Sequence, residues 1–442
     1  MPNIFKEPVY TMIRIFIKHC LFKSNYYKRA IKKIGMPSFE AMPNDRKHRY
    51  CTQVEGSPRN KILCIYHKNF LKNNTGANSY VMQVVKQFKE FGYSIDFLGT
   101  DRYCDNFPSF DEDNKKYNGL VANHFIYEDR QKPSYKKHFY SPISLIHDAF
   151  LDYFQQTVSK TPYRAICVFD INLLELIKFT EIDPHTKIIW MAVEFNSMHS
   201  FNWSEEKFTK KIAAFGSHIA DEIELMHWCD DIFCISDNEK RLFEKFHNDV
   251  NFHFLPYFMD PKNCDGVKKD IDCLFVGDSN LYNKASMVWF IDQVLPLLAP
   301  GITFTICGTV CDILKKDNPE QYEKAIQYGM QMLGFVDDLD EIHARTKISL
   351  APILAGAGLK IKTINAMAFG IPVVATDLGV DGFPDKTENG CVIANTPQEF
   401  VYSIMRLLQD QKFYNSMVVK CKKYFKRHFC REKNGDVLRK IF

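Results

Sequence analysis

The stretch at residues 355–376, AGAGLKIKTINAMAFGIPVVAT, carries more information about the fold of this chain than any other. Gly356 and Gly358 have no Cβ atom, so the backbone there can come close to a ligand. A helix is predicted over residues 359–369, and Gly370 follows it as a C-terminal glycine. The apolar run at 373–375 is typical of a parallel strand that is covered on both faces.

Two lysines, Lys360 and Lys362, directly follow the glycines of this stretch. A loop, a helix N-terminus and lysines together form a site that suits a diphosphate. An ordinary loop–helix–strand turn of an α/β domain explains the same residues equally well. The stretch alone therefore does not decide between a diphosphate site and an ordinary turn.

Upstream of this stretch, strands and helices alternate in two successive series. The first series has strands at 61–67, 95–99, 165–170, 187–194 and 231–236, and helices at 80–91 and 217–229. The second has strands at 272–277, 303–308, 334–337 and 348–351, and helices at 284–298, 319–332 and 339–345. Such alternation indicates the α/β class, with two facing Rossmann-like doubly wound domains whose ligands bind in the cleft between them.

The chain is predicted to divide into four parts. These are a basic N-terminal extension at 1–60, a first domain at 61–257, a second domain at 258–413 and C-terminal helices at 414–442. At 442 residues the chain is too long for one typical core and fits two domains with additions.

Positive charge is concentrated in the extension. Residues 1–60 hold twelve Lys and Arg against four Asp and Glu, whereas the remaining chain holds 45 against 49. A basic amphipathic helix around Met12–Cys20 that binds an anionic membrane surface is one reading, and a helix packed on the body or a loose tail is the other. The slightly acidic body argues against nucleic acid as a partner.

Four segments in order resemble the GT-B glycosyltransferases, close to the retaining group called group 1 or family 4. The main one is GAGLKIKTINAMAFGIPVVATDLGVDG at 356–382, which is similar to the family's donor-binding signature. The others are ELMHWCDDIFCIS at 224–236, FVGDSNLYNKASMVWF at 275–290 and LGFVDDLDEIHARTKISLAPIL at 333–354. The resemblance covers about residues 61–430 and implies transfer of a sugar from a nucleotide donor.

The resemblance assigns the diphosphate to the loop and helix of the opening stretch. Lys360 and Lys362 would stabilise the negative charge that gathers on the leaving diphosphate, and the backbone of Gly356, Gly358 and Leu359 would add dipoles. Many relatives carry two glutamates eight positions apart here. This chain has Ala357 and Asn365 instead, and Asn365 can still bind a ribose hydroxyl as donor and acceptor.

Further donor contacts are predicted at the ends of strands in the second domain. Gly277 and Asn283 would face the diphosphate and Gly308 would lie near the base, where Phe335 and Val336 would form a wall. Simple strand-end geometry is the alternative for each of these residues.

The first domain is predicted to hold the acceptor, with Gly76 close to the donor phosphate. Glu194 and His199 follow a predicted strand, and either could help to deprotonate the acceptor hydroxyl, although a lone histidine is more often structural. No metal or other cofactor is predicted, because lysines and a helix dipole can replace a cation.

The function predicted from the resemblance is retaining, metal-independent transfer of a hexose from a nucleotide sugar to a glycan or lipid-linked acceptor. Cell-surface polysaccharide biosynthesis is the predicted process. A cytoplasmic location is predicted, with peripheral attachment to the inner face of the membrane through the basic extension. The alternative is a non-catalytic binding or scaffold subunit of a glycosyltransferase complex. A nicotinamide dehydrogenase is disfavoured, because no GxGxxG motif follows a strand.

Overall fold

The computed structural model describes residues 60–73, 75–100, 107–127, 146, 148–193, 195, 197, 208–356, 358–386 and 388–441. The predicted membrane-binding segment of the N-terminal extension lies outside these residues. Among the described residues, no helix is both long enough and apolar enough to cross a lipid bilayer.

Seven parallel strands form the first sheet. They are β1 Lys61–Ile65, β2 Ser94–Thr100, β3 Asn123–Tyr127, β4 Ala165–Val168, β5 Lys187–Ala192, β6 Asp231–Cys234 and β7 Asn251–Phe254. Their order in the sheet is β3-β2-β1-β4-β5-β6-β7, so the direction of winding reverses between β1 and β4. Strand β4 is wholly buried, as expected for a parallel sheet with helices on both faces.

Helices cover both faces of this sheet. They are α1 Gly76–Glu90, α2 Phe110–Lys116, α3 Asp148–Val158, α4 Leu174–Lys178, α5 Phe208–Met226 and α6 Asp237–Phe243. Side chains from alternate strand positions separate into two buried clusters, with Cys64 and Cys167 in one and Leu63 and Ile166 in the other. This alternation places one hydrophobic core on each face of the sheet.

Six parallel strands form the second sheet. They are β8 Ile271–Val276, β9 Phe304–Cys307, β10 Gln331–Gly334, β11 Thr346–Ala351, β12 Val373–Ala375 and β13 Cys391–Ile393. Their order is β10-β9-β8-β11-β12-β13, with the reversal between β8 and β11. Two doubly wound sheets confirm the predicted fold class.

The second sheet is flanked by α7 to α13, and one further helix ends the chain. Helix α7 Leu281–Trp289 continues irregularly to Leu297, and the others are α8 Val310–Asp317, α9 Pro319–Gln327, α10 Asp340–Ala344, α11 Ile361–Ala368, α12 Pro397–Gln409, α13 Gln411–His428 and α14 Arg431–Arg439. Strand β10 comes earlier than the predicted strand at 334–337. The reason is Gly329, whose positive φ of 80° turns the chain just after α9 and lets the strand begin at Gln331.

The last helix, α14, lies against the first domain. Arg431 contacts Glu90 and Asp260, each at 3.0 Å, and Leu438 is fully buried in a cluster that includes first-domain side chains. The backbone amide of Met259 also donates to the carbonyl of Phe429. The end of the chain therefore ties the two domains together.

Candidate functional site

The loop of the opening stretch lies at the point where the second sheet reverses its winding. Strand β8 ends at Val276 and strand β11 ends at Ala351, and these two strands are neighbours. In open α/β sheets the carboxyl ends of strands at such a reversal form a crevice that binds ligands. We call residues 355–360, described except for 357, the donor loop.

Two glycines shape the donor loop. Gly356 and Gly358 have φ angles of 113° and 71°, in the left-handed region that other residues rarely adopt. A Cβ atom on Gly356 would meet the ring of Tyr282 at 3.6 Å, so the loop backbone lies against that ring. Leu359 next to them is buried and anchors the loop in the core.

Lys360 ends the donor loop at the N-cap position of α11. It has extended φ and ψ angles of −92° and 93°, and its Nζ donates to the carbonyl of Gly358 at 2.7 Å. No side chain caps this helix, and the described residues offer no hydrogen-bond acceptor to the amides of Ile361 and Lys362. These amides are suited to an anion at the helix N-terminus.

Lys362 lies in the first turn of α11 and points back toward α7. Its Nζ donates to Oδ1 of Asn283 at 2.5 Å and lies 4.3 Å from the centre of the Phe275 ring. The pKa of Lys362 is lowered to about 7, mainly by burial; Asp278 acts in the opposite direction, and Lys360 contributes to the lowering. A nearby anion would therefore strongly stabilise the charged form of Lys362.

Asn283 holds Lys362 in place. Its Nδ2 donates to Oδ1 of Asp278 at 2.7 Å, and its backbone amide donates to Oδ1 of Asn280 at 2.8 Å. Asn283 is buried, and both ends of its amide have partners. The structure thus gives Asn283 a supporting position behind the lysine.

Gly277 and Gly308 bring the ends of β8 and β9 unusually close. A Cβ atom on Gly308 would lie 2.1 Å from the carbonyl oxygen of Gly277, and the φ angle of Gly308 is 104°. Further along this edge, Phe335 is 56% exposed and Val336 packs with Leu339. The flat base of a nucleotide could stack on the exposed ring of Phe335.

Asn365 lies one turn beyond Lys362 on α11. Its Oδ1 is buried and has no hydrogen-bond partner among the described residues. Such an unsatisfied acceptor is costly, so it marks a position where a ligand donor would be favourable. Ala357, the other position that differs from many relatives, lies outside the described residues.

The first domain approaches the second at three points, one of them on the donor loop itself. A Cβ atom on Gly76 would lie 3.2 Å from Cδ1 of Ile361, and one on Gly358 would lie 3.8 Å from the carbonyl oxygen of Val193. The amide of Asp237 donates to the carbonyl of Gly382 at 3.2 Å. The carboxyl edges of the two sheets therefore enclose one cleft.

The predicted bases Glu194 and His199 lie outside the described residues. Within them, sequence reasoning missed a pair at the cleft edge, in which Nδ1 of His67 lies 2.6 Å from Oδ2 of Asp170. The available signal was that each residue is the last, polar residue of a predicted apolar strand.

One group of potential metal ligands occurs in the described part of the chain. Asp249 contacts His227 at 3.2 Å and His247 at 3.8 Å. His227 precedes β6 and Asp249 precedes β7, so the group lies at the amino edge of the first sheet, away from the cleft. It therefore does not belong to the candidate site.

Two facing doubly wound sheets with a cleft between them are the arrangement of the GT-B glycosyltransferase fold. Residues 270–410, which make up most of the second domain, match the family model described as "Glycosyl transferases group 1". The predicted resemblance is confirmed.

Other similar proteins match this chain over most of its length. An uncharacterized 44.6 kDa protein in the cps region of Klebsiella pneumoniae is 24% identical over 369 residues, covering 75% of this chain and 87% of its own. An uncharacterized glycosyltransferase of Haemophilus influenzae is 23% identical over 350 residues, covering 77% and 89%. The structure of Anabaena HepE in complex with UDP and glucose has 12% identity and a TM-score of 0.62, covering 86% of this chain and 98% of HepE.

Proposed function

We propose that this chain transfers a sugar from a nucleotide-sugar donor to a glycan or lipid-linked acceptor, with retention of the anomeric configuration. The observation that carries the proposal is the position of Lys362, an ammonium group with a lowered pKa beside the uncapped N-terminus of α11. Charge on a leaving diphosphate would be stabilised there by the lysine and the helix amides together.

The donor is proposed to be a uridine diphosphate sugar. HepE was solved with UDP and glucose, and it shares the fold of this chain. In the proposed complex Lys362 contacts the diphosphate, and Asn365 accepts a hydrogen bond from a hydroxyl of the nucleotide sugar. Phe335 lies beside the base. Lys360 and Lys362 take the charge-stabilising role, so the proposed reaction needs no metal.

Binding of UDP to a Lys362→Met variant tests the diphosphate position. We expect the dissociation constant to rise about 10- to 100-fold, which corresponds to one charge-assisted hydrogen bond. Isothermal titration calorimetry measures it, with Lys420→Met as a control, because Lys420 pairs with Glu388 on the exposed surface of α13. Unchanged UDP affinity in Lys362→Met would contradict the proposal that the diphosphate binds at the N-terminus of α11.

Whether the protein turns over a nucleotide sugar decides between an enzyme and a non-catalytic scaffold subunit. A thermal-shift screen of nucleotide sugars identifies the donor, and NMR of the product of hydrolysis or transfer reports the anomeric configuration. Binding of a nucleotide sugar by the wild-type protein with neither reaction would favour the non-catalytic subunit. An inverted product would refute retention while leaving the donor site intact.

The acceptor is proposed to be a growing cell-surface polysaccharide, in line with the cps-region relative. The basic extension is proposed to hold the enzyme at an anionic membrane surface. We expect the full-length protein to sediment together with phosphatidylglycerol vesicles. The protein that lacks residues 1–33 should remain in the supernatant. Equal sedimentation of the full-length and truncated proteins would contradict this role.

A further inference from the structure

Two histidines and one aspartate come together at the amino edge of the first sheet, on the side away from the cleft. Nδ1 of His227 lies 3.2 Å from Oδ2 of Asp249, and Nδ1 of His247 lies 3.8 Å from Oδ1 of the same carboxylate. Each of the three side chains offers one ligand atom, and these atoms all lie within 4.8 Å of one another. We call these three residues the His–His–Asp cluster.

The strand order of the first sheet brings the cluster together from two segments. His227 directly follows α5, in a turn where the amide of Trp228 donates to the carbonyl of Leu225 at 3.1 Å. His247 and Asp249 lie in the loop between α6 and β7. Because β6 and β7 are parallel neighbours, the segments that lead into them meet at the same edge of the sheet.

The distances in the cluster suit a shared metal ion better than direct hydrogen bonds alone. The 3.8 Å between His247 and Asp249 is longer than a hydrogen bond. Two ligand atoms of a tetrahedral zinc ion, each about 2.0–2.2 Å from the metal, lie about 3.3–3.6 Å apart. The two measured separations fall on either side of that range. Side-chain rotation can close the difference, because Asp249 is 49% and His227 32% exposed.

The types of ligand select the kind of ion. Imidazole nitrogens suit zinc and its neighbours among the transition metals, whereas Mg²⁺ and Ca²⁺ prefer oxygen ligands. The side chain of His247 is only 8% exposed and its ring packs against Phe252, with 6.4 Å between ring centres, so this ligand is held in place by the fold. The exposed part of Asp249 provides the path by which an ion enters from solvent.

We propose that His227, His247 and Asp249 bind one Zn²⁺ ion, which acts as a structural clip in the first domain. Strand β7 is at the edge of the sheet and pairs only with β6. An ion shared between the turn before β6 and the loop before β7 gives this edge strand a second link to its neighbour. The ion lies away from the cleft, so the proposed sugar transfer still needs no metal.

Zinc titration of the chelator-treated, full-length protein tests the site, with calorimetry as the measurement. The chain has fourteen cysteines and fourteen histidines, so the comparison between variants is decisive and the total uptake of zinc is not. His227→Gln and His247→Gln should each weaken one zinc site at least about 100-fold, because loss of an outer-shell partner alone costs 10- to 100-fold. His185→Gln is the matched control, because Nδ1 of His185 also lies 3.2 Å from an aspartate oxygen, that of Asp183, without belonging to the His–His–Asp cluster.

Cobalt and hydrogen exchange test the ligands and the clip separately. Co²⁺ bound by imidazole and carboxylate gives visible d–d absorption without the sulfur-to-cobalt charge-transfer band that cysteine ligands add. This signal should be present in wild type and lost in His247→Gln. Addition of Zn²⁺ to wild type should slow hydrogen exchange in β7 and in the loop before it, because binding to the folded state suppresses local opening. The same addition should leave exchange in His247→Gln unchanged.

Each result bears on the site or on its role. Equal zinc affinity and stoichiometry in wild type, His227→Gln and His247→Gln would overturn the site. Loss of one zinc site without any zinc effect on exchange in β7 would overturn the clip. If circular dichroism shows that His247→Gln does not fold, Asp249→Asn takes its place, since this carboxylate is half exposed. UDP binding in the folded variants should stay within about twofold of wild type, so failure of the proposed sugar transfer would leave these zinc results unchanged.

Discussion

Lys362 is the residue whose chemistry depends most on its surroundings. It is a cation beside an aromatic ring and an asparagine oxygen, and burial brings its pKa down to about 7. A diphosphate beside it would raise that pKa again, because an anion within hydrogen-bond distance favours the charged form. Binding and protonation at this site are therefore coupled.

The coupling predicts a pH dependence of UDP binding. Below pH 7 the lysine of the free protein is mostly protonated, and above it the neutral amine must take up a proton to bind the diphosphate. We expect UDP to bind about tenfold more weakly at pH 9 than at pH 7.5, a range in which the UDP phosphates, with a second pKa near 6, stay fully ionised. Calorimetry in buffers of different ionisation enthalpy measures the proton uptake, and the dependence should be flat in Lys362→Met. An equally steep dependence in that variant would assign the titration to another group.

At the scale of elements, the site depends on how closely two strand ends approach. Gly277 and Gly308 lie where β8 and β9 end, and the amide of Gly308 donates to the carbonyl of Gly334 at 2.6 Å. No side chain fits between the two glycines. The close approach brings three strand ends together beside the donor loop.

Gly308→Ala is therefore predicted to destabilise the second domain by about 2–4 kcal/mol, from backbone strain and from contact with the Gly277 carbonyl. Gly329→Ala is the control, because Gly329 has a similar φ of 80° but open space around its Cβ position. Gly329→Ala should lower the free energy of unfolding by about 1 kcal/mol, from backbone strain alone. Denaturant titration measures both, and equal losses would show that the contact with Gly277 adds nothing.

The sequence predicted elements better than it predicted contacts between them. The fold class and the donor-loop helix could be inferred because apolar runs and glycines are local signals. Strand β3 was missed because its first two residues are exposed at the sheet edge, so it lacks an apolar run. The contact between Lys362 and Asn283 joins residues 79 positions apart, and that between His67 and Asp170 needs the pairing of β1 with β4. Such contacts follow from strand order, which periodicity does not give.

The molecule as a whole places the carboxyl edges of its two sheets opposite each other, and the end of the chain helps to hold them there. Arg439 lies 5.1 Å from the centre of the Phe91 ring, and Lys187 donates to the carbonyl of Ile441 at 3.1 Å. Gly435 packs against the side chain of Gln87 on α1. Helix α14 therefore packs on the helix that begins at Gly76, where the first domain meets the donor loop.

Leu438→Ala tests whether this packing supports the cleft. Leu438 is fully buried, so its truncation should cost about 2–5 kcal/mol and loosen α1 before the second sheet. Hydrogen exchange should then quicken over Gly76–Glu90 and remain unchanged in β8 and β11. Val419→Ala is the control, because Val419 is 65% exposed on the preceding helix. If Gly76–Glu90 kept its protection while the protein lost stability, α14 would stabilise the second domain alone. The wall of the cleft that carries Gly76 would then depend on its own core.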